Sequence, residues 1–259
     1  MKCKVCGTES NFFGRATVLR KHTVSYYRCP ACEFIQTENP FWIYEAYIKT
    51  ITDQDVGLVK RNLHLAMMSK TILTLFFDGS KPFVDFAGGY GLFVRRMRDL
   101  GFDFYWTDRY CENVFSKGFE YIPAAQEEIE AVTAFEVFEH LNEPIDEIQK
   151  ILSISNNILF TTELIPKTVP KPGEWWYYGL QHGQHISFYS TKTLQVIADR
   201  FGLQYYSNGK YFHLFSIKKI LKGVFAIISQ PKTAKLLSFM LSRKSRLPAD
   251  FEKFSKIIV

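Results

Sequence analysis

The run Val84-Asp85-Phe86-Ala87-Gly88-Gly89-Tyr90-Gly91 is apolar, carries an acid near its end and breaks into a glycine-rich turn before the helix-like Leu92-Phe93-Val94-Arg95-Arg96-Met97. Glycine lacks the Cβ that keeps a backbone away from its surroundings, so a turn of this kind brings bare main chain up to a ligand. Seventeen residues beyond Gly91, the run Phe102-Asp103-Phe104-Tyr105-Trp106-Thr107 ends at Asp108, where a doubly wound sheet sets an acid against ribose hydroxyls. Two acids at two strand ends define one crevice. Such turns serve NAD(P), nucleoside triphosphates or S-adenosylmethionine. No Gly-Lys-Ser/Thr follows to meet β- and γ-phosphates, which removes the triphosphate. Asp85 would repel the pyrophosphate of a dinucleotide and attract the α-ammonium of a methionine moiety, so charge favours the sulfonium cofactor.

A second constellation is Cys3-x2-Cys6 and Cys29-x2-Cys32, two pairs separated by 22 residues. Gly7 follows the first pair and Pro30 lies inside the second, so two tight knuckles can present four thiolates to a tetrahedral Zn²⁺. Two disulfides are the alternative, disfavoured in a reducing compartment. Ala16–Arg20 and Thr23–Arg28 read as short strands of a zinc ribbon, whose small core would leave metal binding to supply most of its folding free energy. Cys111 stands alone and reads as a free thiol.

These residues need elements to hold them. Residues 41–77 read as helical, a linker to the body. From Lys81 the pattern alternates: strand 82–86, helix 91–100, strands 102–107 and 131–135, helix 143–152, strand 157–162, helix 191–201, and strands near 203–207 and 212–218. This predicts an α/β, Rossmann-like, doubly wound and mostly parallel sheet with an antiparallel terminal strand, plus the N-terminal ribbon. The expected organisation is 1–40 ribbon, 41–80 helical linker, 81–218 cofactor-binding domain and 219–259 basic helical tail, with apolar-plus-basic pieces at Ile220–Ser229 and Ala234–Leu241.

Several stretches together resemble class I S-adenosylmethionine-dependent methyltransferases, in the branch that includes quinone O-methyltransferases and zinc-bearing sugar C-methyltransferases. They are Val84–Gly91, Tyr105–Asp108, Ala131–Leu141, Ile158–Thr162 and Gly183–Ser190, in the family's order over about residues 81–218. The family motif Asp-x-Gly-x-Gly-x-Gly has Ala87 at its first glycine here. The resemblance implies that Asp85, Ala87, Gly89 and Gly91 cradle the methionine end and that Asp108 accepts both ribose hydroxyls. Phe135 and Glu136 would border the adenosine and the sulfonium. Gln126 and Glu127 lie in the loop that usually meets the adenine amino group, a contact left open. Where resembling sugar C-methyltransferases carry Tyr-x-Glu-His, this chain has His182-Gly183-Gln184-His185, so His185 is the retained group.

Methyl transfer is an in-line displacement at a carbon activated by a sulfonium, so a protein supplies alignment, exclusion of water and a base. His140 and His185 are the candidate bases, both at the carboxyl side of the sheet, where open α/β folds build sites. Glu174-Trp175-Trp176-Tyr177-Tyr178-Gly179 lies among Pro170, Pro172 and Gly173. It reads either as an aromatic substrate lid, joined by Tyr189, or as a loop covering the core. Tyr47 either closes over the cofactor or packs in the core.

Of 259 residues, 47% are hydrophobic and 16% aromatic, with 24 Phe and 14 Tyr. That excludes a disordered chain and calls for aromatic-lined pockets or a partner surface. The net charge of +6 sits at the ends: residues 1–40 carry six Lys/Arg against three Asp/Glu and residues 219–259 nine against two, so the middle is acidic. Basic ends attract phosphate in nucleic acid or at a lipid surface, or are simply solvated. The expected acceptor is a small molecule or glycan-linked group. RNA, approached through the ribbon, is the alternative, opposed by the lack of an aromatic-plus-basic recognition motif. A non-catalytic cofactor-binding protein is a third reading, opposed by intact Asp108, Gly89 and Gly91. Peripheral membrane contact would fall to the basic tail. No apolar stretch reaches the roughly 18 residues of a membrane span, and Met1-Lys2-Cys3-Lys4 opens no signal-peptide apolar region. The expectation is a cytoplasmic protein.

Overall fold

The computed structural model describes residues 1–48, 55–123 and 128–255. Gln126 and Glu127 lie outside these described residues. Ten strands are present: β1 Asn11–Val18, β2 His22–Arg28, β3 Ile35–Thr37, β4 Pro82–Phe86, β5 Asp103–Thr107, β6 Ala131–Ala134, β7 Ile158–Thr161, β8 Ser187–Phe188, β9 Gln204–Ser207 and β10 Phe212–Ser216. The helices are α1 Ile43–Ala46, α2 Leu58–Phe76, α3 Leu92–Asp99, α4 Pro144–Leu152, α5 Thr191–Arg200, α6 Lys222–Ile228, α7 Pro231–Met240 and α8 Leu247–Ser255.

The main sheet has the order β5-β4-β6-β7-β10-β9. Its first four strands are parallel, and the β9–β10 hairpin returns antiparallel against β7. Successive side chains on a strand face opposite ways, and each strand here is apolar on both faces. Val84, Val132, Ala134, Ile158, Phe160 and Phe215 join the core under α4 and α5. Phe83, Ala131, Leu159, Phe212 and Leu214 join the one under α2, α3, α6 and α7. Two covered faces account for the continuous apolar runs of the sequence.

The ribbon forms the second sheet, and its first hairpin differs from expectation at the turn. Leu19 and Arg20 have φ of 52° and 61° and Lys21 N–H donates to Val18 O at 3.1 Å. These are the two left-handed positions of a tight hairpin turn, so the strand ends at Val18. The sheet order is β1-β2-β3-β8, and β8 comes from beyond residue 180. The boundary expected near residue 40 is therefore crossed by hydrogen bonds: Thr37 N–H donates to Ile186 O at 3.1 Å, Thr193 Oγ1 to Cys32 O at 2.8 Å and Arg200 Nη1 to Val5 O at 3.3 Å. Cys3, Cys29, Cys32 and Phe34 are buried in the same core as Ile148, Leu194 and Phe215.

The tail folds back on the body. Lys70 Nζ donates to Ser238 O at 2.6 Å and Thr71 Oγ1 to Ala234 O at 3.0 Å. Asp250 on α8 takes a bidentate pair from buried Arg98 at 2.6 and 2.9 Å. The third tail helix, α8, lies within the expected helical tail but beyond the two apolar-plus-basic pieces singled out there. No helix among the described residues is long and apolar enough to cross a membrane.

Candidate functional site

The crevice lies at the carboxyl ends of β4, β5 and β6. Asp85, the penultimate residue of β4, is 3% exposed, and Thr133 Oγ1 on neighbouring β6 donates to its Oδ1 at 2.6 Å. Burial pushes the Asp85 carboxyl up to about 7, with the Asp108 charge adding to the rise and Thr133 opposing it. A carboxyl held this way is ionised most readily by a neighbouring cation.

The turn after Asp85 needs left-handed backbone three times: Ala87, Gly89 and Gly91 have φ of 56°, 54° and 81°. The alanine adopts the conformation for which the family motif uses glycine. Gly91 caps α3, and a Cβ there would run into Ser116 and Asn113. Gly88 lies against Asp85 and Trp106, leaving no room for a side chain. Across the turn, Asp108 Oδ2 accepts from Gly89 N–H at 2.9 Å, and its Oδ1 accepts from Tyr110 and Cys111 N–H at 2.7 and 2.8 Å. Trp106 Nε1 donates to Gly89 O at 2.8 Å. Asp108 thus fixes the loop and keeps lone-pair capacity for a ligand. Burial pushes the nearby Cys111 thiol up to about 11.

Past β6 the outcomes divide. The Phe135 ring packs against Phe93 and Phe212, at centroid distances of 5.0 and 6.0 Å, and is only half-buried. Glu136, at φ 55°, accepts from Thr161 Oγ1 at 2.9 Å and faces Arg61 at 3.6 Å.

His140 and His185 come together, their rings 5.0 Å apart and nearly perpendicular. His185 Nδ1–H donates to Tyr177 O at 2.7 Å. His140 Nδ1 lies 3.1 Å from Gln184 O and 2.9 Å from the Tyr47 hydroxyl. Carbonyls only accept, so His185 carries its proton on Nδ1, and the Gln184 carbonyl favours the same tautomer at His140, which leaves the lone pair on Nε2. Burial keeps both neutral, depressing His140 to about 4 and His185 well below the usual range, with neighbouring imidazoles assisting.

Glu139, not singled out by the sequence reading, is fully buried beside them. Among the described residues neither of its carboxylate oxygens has a partner at hydrogen-bond geometry. Burial and the charge of Glu136 push its carboxyl well above the usual range; the Tyr177 hydroxyl, close by but outside hydrogen-bond geometry, and the charge of Arg61 offset part of this. Its visible signal was an acid directly before a histidine just past a strand end. Thr133 and Trp106, also missed, read in sequence only as strand residues.

The aromatic loop is mostly structural. Tyr178 is 1% exposed, donates to Pro170 O at 2.8 Å and packs on Tyr26 and Phe188. Tyr189 is fully buried, donates to Phe138 O at 2.8 Å and packs on Phe34. Both leave the acceptor set, because burial of their rings and satisfied hydroxyls makes them core. Trp175 packs on Tyr178 and Phe188. Tyr177 is buried with its ring 4.8 Å from that of His185. Trp176, 73% exposed, is the loop's open aromatic face.

The four ribbon thiols cluster on their own, with Cys3–Cys32 and Cys6–Cys29 sulfurs 3.5 and 3.4 Å apart. Sulfurs about 2.3 Å from a tetrahedral ion stand about 3.8 Å from one another, so the set fits Zn²⁺. The two knuckles match. Gly7 and Glu33, each just after a pair, have φ of 75° and 68°, and their N–H groups donate to Cys3 O and Cys29 O at 2.9 and 3.0 Å. Val5 N–H and Cys32 N–H point at Cys3 and Cys29 sulfurs, each at 3.4 Å, which supports thiolate charge.

The sequence profile described as "Methyltransferase domain" matches residues 60–208. No curated protein matches the chain. Among solved structures, the chain is similar to TnmH, at 14% identity and TM-score 0.42 over 70% of this chain and 62% of that one. It is also similar to OxaC with S-adenosylhomocysteine and oxaline, at 17% identity and TM-score 0.43 over 60% of this chain and 47% of that one. CalO1, a methyltransferase in calicheamicin biosynthesis, is similar at 12% identity and TM-score 0.41, over 67% and 60%. The chain spans less than two thirds of the length of each.

Proposed function

Because the chain belongs to the methyltransferase-domain family, we propose that it transfers the methyl group of S-adenosylmethionine to a small-molecule or glycan-linked acceptor. The observation that carries this reading is the pairing of buried Asp85 with half-buried Asp108 at neighbouring parallel strand ends around a left-handed turn. Asp85 offers an anion to the α-ammonium of the cofactor. The Gly88–Gly91 backbone would hold the methionine chain, and Asp108 has acceptor capacity for ribose hydroxyls. When bound, the cofactor supplies an electrophilic methyl carbon.

This chain's own residues then align an acceptor and manage its proton. His140 and His185, held neutral with Nε2 outward, can take a proton or steer one, and Trp176 offers a face for an acceptor ring or sugar. Calorimetry with S-adenosylmethionine should show binding that Asp108→Ala weakens at least tenfold, on the order of 1.4 kcal/mol. Equal binding by the variant would remove the ribose assignment.

A further inference from the structure

Among the described residues two groups of side chains are placed to share a metal ion. One is the ribbon; the other is Glu139, His140 and His185, whose ligand atoms lie within 4.8 Å of one another. We infer that Glu139, His140 and His185 form a second metal centre, which takes a first-row divalent transition ion and leaves coordination positions open to an acceptor hydroxyl.

Three independent features support it. Glu139 is completely buried, yet neither carboxylate oxygen is paired within the described chain; an orphaned buried carboxylate is costly unless a cation or hydrogen bonds meet it. Both imidazoles are fixed by Nδ1–H bonds to backbone carbonyls, Gln184 O and Tyr177 O, the outer-shell pattern that orients Nε2 toward a metal. The backbone then locks the two ligand-bearing segments together: Ile186 N–H donates to Glu139 O at 2.8 Å, and Ser187 Oγ donates to Leu141 O at 2.6 Å.

Ligand atoms about 2.1 Å from a shared ion stand about 3.4 Å from one another, so modest rotations of the three side chains would close the site. Two imidazoles and one carboxylate suit Zn²⁺, Mn²⁺ or Fe²⁺; Mg²⁺ and Ca²⁺ prefer oxygen alone. Three protein ligands leave room for exogenous oxygen, the arrangement of catalytic rather than structural sites.

The role rests on the methyl-transfer reading. An acceptor hydroxyl on the ion becomes more acidic and gives its proton to water. The oxygen attacks the methyl carbon, the carbon–sulfur bond breaks, and its electron pair stays on sulfur. The products are the methyl ether, S-adenosylhomocysteine and one proton.

The test uses the full chain with its ribbon zinc in place. Titration with Mn²⁺, followed by loss of the free-ion electron paramagnetic resonance signal, should show one equivalent bound that equimolar Mg²⁺ does not displace. Glu139→Gln and His185→Gln should each weaken this binding at least tenfold, while ribbon zinc content and S-adenosylmethionine binding stay at wild-type level. Absence of a bound equivalent in the wild type overturns the inference whatever the variants do, as does wild-type Mn²⁺ affinity in both variants. If Mn²⁺ binds as expected but S-adenosylmethionine does not, the methyl-transfer reading fails and the metal centre stands.

Discussion

At the scale of single residues, Asp85 carries the most direct consequence. Its carboxyl is raised to about 7 chiefly by burial, above the value near 3.9 of an unfolded chain. In the cofactor-free protein, the protonated form is therefore favoured on folding, and this contribution to stability is lost as pH rises from about 4 through 7. A bound ammonium reverses the preference and expels the proton. S-adenosylmethionine affinity should thus fall as pH drops below about 7, approaching tenfold per unit. Calorimetry at pH 6.5 in buffers of different ionisation enthalpy should register roughly three quarters of a proton released. Affinity flat between pH 6 and 8 would show that Asp85 does not meet the cation. Asp85, Asp108, the glycines and the four cysteines were legible because their chemistry depends on residue type and spacing. Glu139, Thr133 and Trp106 were not, since their partners lie on elements distant in sequence: Thr133 meets Asp85 from across 48 residues.

At the scale of elements, the turn between β4 and α3 is set by backbone conformation. Gly91 has φ 81° and is packed against Ser116 and Asn113. Gly91→Ala should cost about 2 kcal/mol or more and lower Tm by roughly 5 °C, with loss of cofactor binding; an unchanged melting curve would mean that the loop 113–116 yields freely. The alternation of strands and helices was readable because buried parallel strands write apolar runs and helices write their own period. The aromatic loop was open between lid and core cover for a physical reason. Trp175-Trp176-Tyr177-Tyr178 has no period, yet a short 3-10 turn over Trp176–Tyr178 turns Tyr177 and Tyr178 inward and leaves Trp176 out.

At the scale of the whole molecule, the C-terminal segment is part of the globule. Arg98, 3% exposed, is met by Asp250 from α8 and by Asp103 from β5. Burial opposes the charge on Asp250, and contacts with Arg98 and Arg95 outweigh it, holding the carboxyl below its usual range. Its stabilising effect is present above the unfolded value near 3.9 and is lost as pH falls through the depressed one. Asp250→Ala should destabilise by roughly 2–3 kcal/mol in urea unfolding at pH 7, since Arg98 keeps only part of its neutralisation; a change under 0.5 kcal/mol would show that α8 is held without that pair. The tail's basic composition was visible in sequence, but its docking onto Lys70, Thr71 and Arg98 depends on tertiary neighbours that no local pattern records. The strand pairing of β3 with β8 has a wider consequence. Ile186, one residue after His185, accepts through its carbonyl from the N–H of Thr37, five residues after Cys32, and donates through its amide to Glu139 O. The thiolate knuckles and the paired imidazoles thus hang from one residue, so a substitution that displaced Ile186 would reach both ends.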